Sequence, residues 1–203
     1  MMNNFLIYDI KETFCRYFVV AIHNKMNLTA FTDYLASSDY LRNIENGNLI
    51  EISDVTVEEG YHSIVGNNVA KDDSFGIYND AYWCGYCYFE LFLTMHKPFS
   101  YIFLKLPLEK MLDLYKVYHE MDISQLEDYF HDREKEETIL RLLCKRRRCS
   151  INKLSKATGV SVNTLNKYRA SDEALYNASF QNIYKISKFF DVPISLFVKE
   201  LKN

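Results

Sequence analysis

Two short motifs place reactive side chains close together in the sequence. Cys84 and Cys87 have the C-x-x-C spacing of a thiol redox centre or of one half of a zinc site. His119, Glu120 and Asp122 form an ionisable cluster of a kind that transfers protons or binds metal ions. Neither motif is complete, because no second cysteine pair accompanies the first and no His-Glu-x-x-His spacing places two ligands on one helix face. We therefore expect the cysteines to pack in a core, and we predict no catalytic residue, no metal site and no cofactor.

Charge is divided unevenly along the chain. Residues 1–134 carry 10 Lys and Arg against 21 Asp and Glu, whereas residues 135–203 carry 14 against 6. The basic part is typical of a module that binds a polyanion such as DNA, while phosphates would repel the acidic part. We therefore expect two domains: an acidic, mostly helical partner or dimerisation domain at 1–134 and a basic DNA-binding domain at 135–203.

The sequence shows no sign of export or membrane insertion. The first residues lack a basic start followed by an apolar run, and charged residues interrupt the most apolar stretch, 81–103. The five cysteines form no regular framework, so reduced thiols are expected. These features favour a cytoplasmic protein without disulfides and without a membrane partner.

The elements that carry these residues are expected to be helices, since the chain holds only three prolines and six glycines. In the acidic part, apolar spacing and capping residues predict helices at 4–23, 28–37, 38–46, 81–96, 108–119 and from 122 onward. Residues 48–65 are ambiguous between a strand and a helix capped by Asp54, and we favour the helix. Residues 66–80 are expected to form a loop whose Asp80 caps the next helix, and Asp122 and Gln125 match a capping box.

The basic part contains two short helices joined by a tight turn. Ser150 and Ser161 stand at the N-cap positions, and Gly159 permits the turn between the helices. Apolar spacing predicts an inward face made of Val160, Leu165 and Tyr168. The opposite face of the second helix then carries polar side chains and cations.

This arrangement resembles the Xre or Cro/CI helix-turn-helix family. The family's order of apolar, small, glycine, apolar and apolar positions is met by Leu154, Ser155, Gly159, Val160 and Leu165. The resemblance implies a mostly all-α protein whose helical N-terminal domain is followed by a five-helix Cro/CI-like domain. The continuation at 179–197 matches the fourth and fifth helices, whose core residues would be Ile183, Ile186, Phe190, Val192, Ile194 and Phe197. A longer loop at 170–179 departs from the family pattern.

By that resemblance, residues 162–169 form the recognition helix in the major groove. Asn163 can pair with adenine, Lys167 can donate to guanine, and Val162 can contact a thymine methyl group. Thr164 and Asn166 are further candidates for base reading. The residues expected at phosphates are Ser150, Asn152, Ser161, Arg169, Asn177, Ser179, Arg146, Arg147 and Arg148. For the arginine cluster the alternative is a solvated basic helix end, and for the whole unit it is a helix-turn-helix fold used only for protein contacts.

The acidic part resembles the N-terminal domain of a group of Xre-type proteins from Gram-positive bacteria. The shared features are an aromatic W-x-G-[YW] motif at 83–86, a proline-led helix ending in Leu-Tyr, and the segment 119–123. Genes for such proteins often accompany toxin-like genes, which implies an antitoxin or a mobile-element regulator. We therefore predict a transcription regulator, favouring a repressor that binds double-stranded operator DNA as a homodimer, with a toxin as a possible protein partner.

Two other functions stay open at this stage. The first is a protein-binding inhibitor or adaptor that acts through the N-terminal domain, with DNA binding secondary. The second is an enzyme that uses the cluster at His119. The homodimer is expected because one small recognition helix seldom provides enough specificity.

Overall fold

The fold is almost entirely helical. A computed structural model describes residues 4–52, 56–66 and 78–199. In the first part of the chain the helices are α1 (Asn4–His23), α2 (Leu28–Ser37), α3 (Asp39–Glu45), α4 (Val57–Val65), α5 (Tyr78–Met95), α6 (Phe99–Lys105), α7 (Leu108–Tyr118) and α8 (Ile123–Glu136). The second part contains α9 (Ile139–Arg146), α10 (Ile151–Thr158), α11 (Val162–Ala170), α12 (Asp172–Tyr176) and α13 (Phe180–Phe190). Two 3-10 helices lie at Leu49–Ile52 and Ile194–Phe197, and none of the described residues lies in a β-strand, which confirms the predicted fold class.

Local capping explains where several of these helices begin. The Asn27 side chain accepts from the N–H of Ala30, and Ser38 separates α2 from α3 by accepting from Leu41. Thr56 forms a capping box with Glu59 at the start of α4. The alternative cap, Asp54, lies outside the described residues.

Two predicted caps differ from the structure. Asp80 is not the N-cap of α5, because that helix already begins at Tyr78 and Asp80 lies in its first turn. The predicted loop between Gly66 and this helix lies outside the described residues, apart from Gly66 itself. Asp122 does cap α8, but its side chain accepts from the N–H of Ser124, so no capping box with Gln125 forms.

The core of the first part is built around α1 and α5. Phe14 and Phe18 of α1 contact Phe89 and Tyr88 of α5, with ring centroids 5.5 and 5.6 Å apart. Gly85 permits this approach, since a Cβ atom there would lie 2.7 Å from the Cα atom of Cys15. Cys84 and Cys87 are buried on the same helix, which confirms their expected place in the core.

Helix α6 connects the two parts of the chain. All seven of its residues are buried, because it contacts α2 and α5 on one side and α8, α9 and the second 3-10 helix on others. The apolar core is continuous across residue 134. The predicted boundary between residues 134 and 135 falls near the end of α8, and it stays a prediction.

The described helices are too short or too polar to cross a membrane.

Candidate nucleic-acid interface

Helices α10 and α11 form a helix-turn-helix whose ends are set by local hydrogen bonds. Ser150 accepts from the N–H of Lys153 at 3.2 Å, and Ser161 accepts from the N–H of Thr164 at 3.1 Å. Both serines are therefore the N-caps that the sequence predicts. Between the helices, Gly159 has φ +70°, and the hydroxyl of Ser155 donates to the carbonyl of Val160 at 2.7 Å.

The inward face of α11 holds it on the rest of the domain. Leu165 and Tyr168 are buried together with Val160, as predicted. The Tyr168 hydroxyl also accepts from the side-chain amide of Asn182 on α13 at 3.1 Å. The burial of Leu165 and Tyr168, together with this contact, places the opposite face of α11 outward.

The outward face of α11 is exposed and carries no carboxylate. Asn163, Asn166, Lys167 and Arg169 are exposed, and Val162 is 37% exposed. Thr164 differs from them, because it is partly buried and its hydroxyl bonds to that of Ser161 at 2.8 Å. Thr164 therefore takes part in the cap, while the other side chains are available to a partner.

The end of α11 is anchored by residues that the sequence analysis missed. The carbonyl of Arg169 accepts from the Thr138 hydroxyl at 2.9 Å and from Arg141 Nε at 3.0 Å. The side chain of Arg169 itself remains exposed. Thr138 is the N-cap of α9, and Arg141 lies in its first turn. No local sequence signal connects either residue to position 169.

The candidate phosphate contacts lie mostly at helix starts. Ser150, Asn152 and Ser179 are exposed near the first turns of α10 and α13, where N–H groups point outward. Asn177 is also exposed, but its side-chain amide donates to the Glu173 carbonyl at 2.9 Å and carboxylate at 3.1 Å. A phosphate at Asn177 would have to compete with that carboxylate.

The arginine cluster after α9 is largely used within the chain. Arg146 pairs with Asp33 of α2 at 2.8 Å, and Arg147 donates to the carbonyl of Phe190 at 2.8 Å. Burial raises the pKa of Asp33, although Arg146 opposes this effect. Arg148 remains exposed, with φ +46°. Two of the three guanidinium groups thus already bind partners within the protein, and the contact of this cluster with phosphates stays a prediction.

Three other expectations for this domain need correction. The segment 170–179 is not a simple loop, because it contains α12, capped by Ser171. The fifth helix is a single 3-10 turn among the described residues. Ile194 is 38% exposed and Val192 only partly buried, whereas Leu196 is buried in the core.

The side chains of the two motifs that suggested chemistry take part in core packing and in local hydrogen bonds. Burial raises the pKa of the Cys84 and Cys87 thiols, so the reactive thiolates are disfavoured. His119 donates to the carbonyl of Tyr115 through Nδ1 at 2.8 Å, and its Nε2 lies 3.7 Å from a carboxylate oxygen of Glu120. Among the described residues, no group of three or more His, Cys, Asp or Glu side chains could hold a metal ion.

Comparison with known proteins identifies the C-terminal unit. A family model for the Cro/C1-type HTH DNA-binding domain matches residues 140–195, which span α9 to the second 3-10 helix. No curated protein and no solved structure matches the chain. Residues 140–195 thus match a Cro/C1-type helix-turn-helix DNA-binding domain, which supports a role of the protein as a DNA-binding regulator.

Proposed function

We propose that the protein is a sequence-specific repressor that reads operator DNA with the outward face of α11. The observation that carries this proposal is the exposed, carboxylate-free face formed by Asn163, Asn166, Lys167 and Arg169. Such a face can enter the negative major groove without repulsion between like charges.

Individual side chains on this face have different roles in the proposal. Asn163 and Lys167 read base edges, since an amide pairs with adenine and an ammonium group donates to guanine. Val162 contacts a thymine methyl group, and Asn166 is a further base contact. Thr164 supports them by sharing the cap of Ser161, with which it is hydrogen-bonded.

The backbone contacts position the domain without reading sequence. We assign them to the starts of α10 and α13, near Ser150, Asn152 and Ser179, and to the Arg169 guanidinium. Arg146 and Arg147 are left out of the proposed interface, because Asp33 and the Phe190 carbonyl already bind them. The proposed contacts then form one surface around α11 and do not extend to the end of α9.

Repression requires a stable complex at a promoter, and we propose that a homodimer provides it. One recognition helix reads only a few base pairs, whereas two copies on a palindromic operator read two half-sites. The acidic part of the chain is unsuited to DNA and is the candidate for self-association or for a toxin partner. The antitoxin role remains a prediction that depends on such a partner.

The first experiment measures binding of the full chain to DNA from its own promoter region at two salt concentrations. Lys167→Ala is compared with Lys116→Ala, which removes another exposed lysine, on α7. We expect specific, salt-sensitive binding that Lys167→Ala weakens about tenfold, because one polar base contact contributes about 1–3 kcal/mol. Lys116→Ala should bind like the wild type.

Equal loss of affinity in both variants would show that only net charge matters and would contradict base reading by Lys167. Absence of specific binding would favour the second candidate function, a protein-binding inhibitor. That candidate is supported by the apolar side chains on α1, where Phe5 is 79% and Tyr8 66% exposed. A tight protein complex that survives Lys167→Ala would be its signature.

A further inference from the structure

An open recess in the acidic part of the chain is lined mainly by ring-bearing side chains. It lies between α1, α5 and α7 and has a volume of about 410 Å³, within the size range of small-molecule sites. Its lining consists of Glu12, Asn79, Tyr82, Trp83, Tyr115 and His119. None of these residues belongs to the helix-turn-helix, so the recess is separate from the proposed DNA interface.

The rings of the recess hold one another in place. Trp83 and Tyr115 meet edge to face, with centroids 5.6 Å apart and planes at 76°. His119 stacks on Tyr115, with centroids 4.6 Å apart. Trp83 and Tyr115 are only partly buried, so part of each ring stays accessible. The two rings therefore form adjacent walls of the recess.

A carboxylate lies beside these rings. Glu12 accepts from the Tyr82 hydroxyl through Oε2 and from Arg16 Nε through Oε1, at 2.8 Å for the latter. The Tyr82 hydrogen bond is the main cause of the lowered pKa of Glu12, so this carboxylate is charged at neutral pH. The recess thus combines aromatic rings with a carboxylate whose charge the Arg16 guanidinium partly balances.

These features select among classes of ligand. An anion would be opposed by Glu12, by Glu120 beside His119, and by the excess of acidic over basic residues in 1–134. A neutral apolar molecule would contact the rings but leave the carboxylate unused. A cation interacts favourably with both, because aromatic faces and carboxylates each attract positive charge. We propose that this recess binds an organic cation of the quaternary ammonium class.

The test uses the only tryptophan of the chain, Trp83, as its reporter. Fluorescence of the full chain is titrated with choline chloride at constant ionic strength and, separately, with 3,3-dimethylbutan-1-ol. The two probes have the same shape and differ in charge. The variants are Glu12→Gln and Tyr115→Leu, and the matched control is Glu58→Gln, an exposed carboxylate on α4. Far-UV circular dichroism verifies that each variant is folded.

We expect saturable changes in Trp83 emission with choline, which should bind at least about tenfold more strongly than the neutral alcohol. Glu12→Gln and Tyr115→Leu should each lower the affinity for choline by a similar factor. Glu58→Gln should bind choline like the wild type. Equal binding of the two probes, or choline binding unchanged in Glu12→Gln, would overturn the cation site, as would the lack of any response to choline. Because this readout needs no DNA, it stands or fails independently of the repressor proposal.

Discussion

Glu45 is a half-buried carboxylate where three elements meet. It belongs to α3, accepts from the N–H of Phe99 at the start of α6 at 2.8 Å, and also accepts from the Ser195 hydroxyl in the second 3-10 helix. It thereby caps α6, whose own N-cap Pro98 makes no side-chain hydrogen bond. Burial raises the pKa of Glu45 from 4.5 to about 7, although these hydrogen bonds and Arg42 oppose the shift.

This shift predicts how stability depends on pH. The native state holds the Glu45 proton more tightly than the unfolded state, so the free energy of unfolding falls as pH rises from 4.5 to about 7. The loss is at most about 3 kcal/mol, since one pKa unit corresponds to about 1.4 kcal/mol. Urea unfolding at pH 5 and pH 8 checks this, and Glu45→Gln should flatten most of the difference. If Glu45→Gln kept the full pH dependence of the wild type, Glu45 would not be its cause. Glu58→Gln serves as the control and should keep that pH dependence.

At the scale of elements, the turn between α10 and α11 depends on a left-handed residue. Gly159 has φ +70°, and a Cβ atom added there would meet nothing within 4 Å. Any cost of substitution therefore arises from the backbone conformation and not from a clash. Gly47, after α3, has the same property, with φ +74° and open space around it.

These two glycines provide a matched pair of substitutions. Gly159→Ala and Gly47→Ala should each lower the free energy of unfolding by about 1–2 kcal/mol, because a left-handed alanine is strained by that amount. Only Gly159→Ala should also weaken operator binding, since it strains the turn that orients α11. Chemical denaturation and the promoter-binding assay measure the two effects. If Gly159→Ala kept wild-type stability, the turn would not depend on the left-handed conformation.

At the scale of the whole molecule, a buried lysine joins the two parts of the chain. Lys105 of α6 is 2% exposed, and its ammonium group donates to the carbonyls of Glu134 and Glu137 and lies 3.3 Å from a carboxylate oxygen of Asp172. Asp172 in turn accepts from the N–H of Ile139 at 2.7 Å and so caps α9. One side chain of the first part thus holds both the connection between α8 and α9 and the helix that follows α11.

Removal of this lysine should uncouple the two parts. Lys105→Met leaves the partly buried carboxylate of Asp172 without its cation and the carbonyls of Glu134 and Glu137 without their donor, which should lower the free energy of unfolding by about 1–3 kcal/mol. Wild-type urea curves followed by Trp83 emission and by circular dichroism should coincide, whereas those of the variant should separate and shift to lower urea. Lys110→Met, which removes an exposed lysine of α7, should leave both curves unchanged. Coincident, unshifted curves for Lys105→Met would show that the junction is held by apolar packing alone.

Local patterns determined much of this protein from the sequence alone. The caps at Ser150 and Ser161, the turn at Gly159 and the outward face of α11 follow from residues within four positions of one another, so the sequence predicts them directly. The mostly helical class follows in the same way from periodicity and the scarcity of Pro and Gly. The match to the Cro/C1-type domain confirms the family that these residues indicate.

Only the tertiary structure decided which charged residues are available to a partner. Arg146 looks like its neighbour Arg148 in the sequence, yet it pairs with Asp33, 113 positions away, while Arg148 stays exposed. Lys105 would be taken for a surface residue at the end of a short helix, but it is buried and binds groups of α8, of the α8–α9 connection and of α12. Capping and periodicity depend on near neighbours, whereas the burial and pairing of a charge depend on which distant elements pack around it. The sequence therefore indicated the proposed DNA-binding face, and the packing revealed the junction between the two parts of the chain.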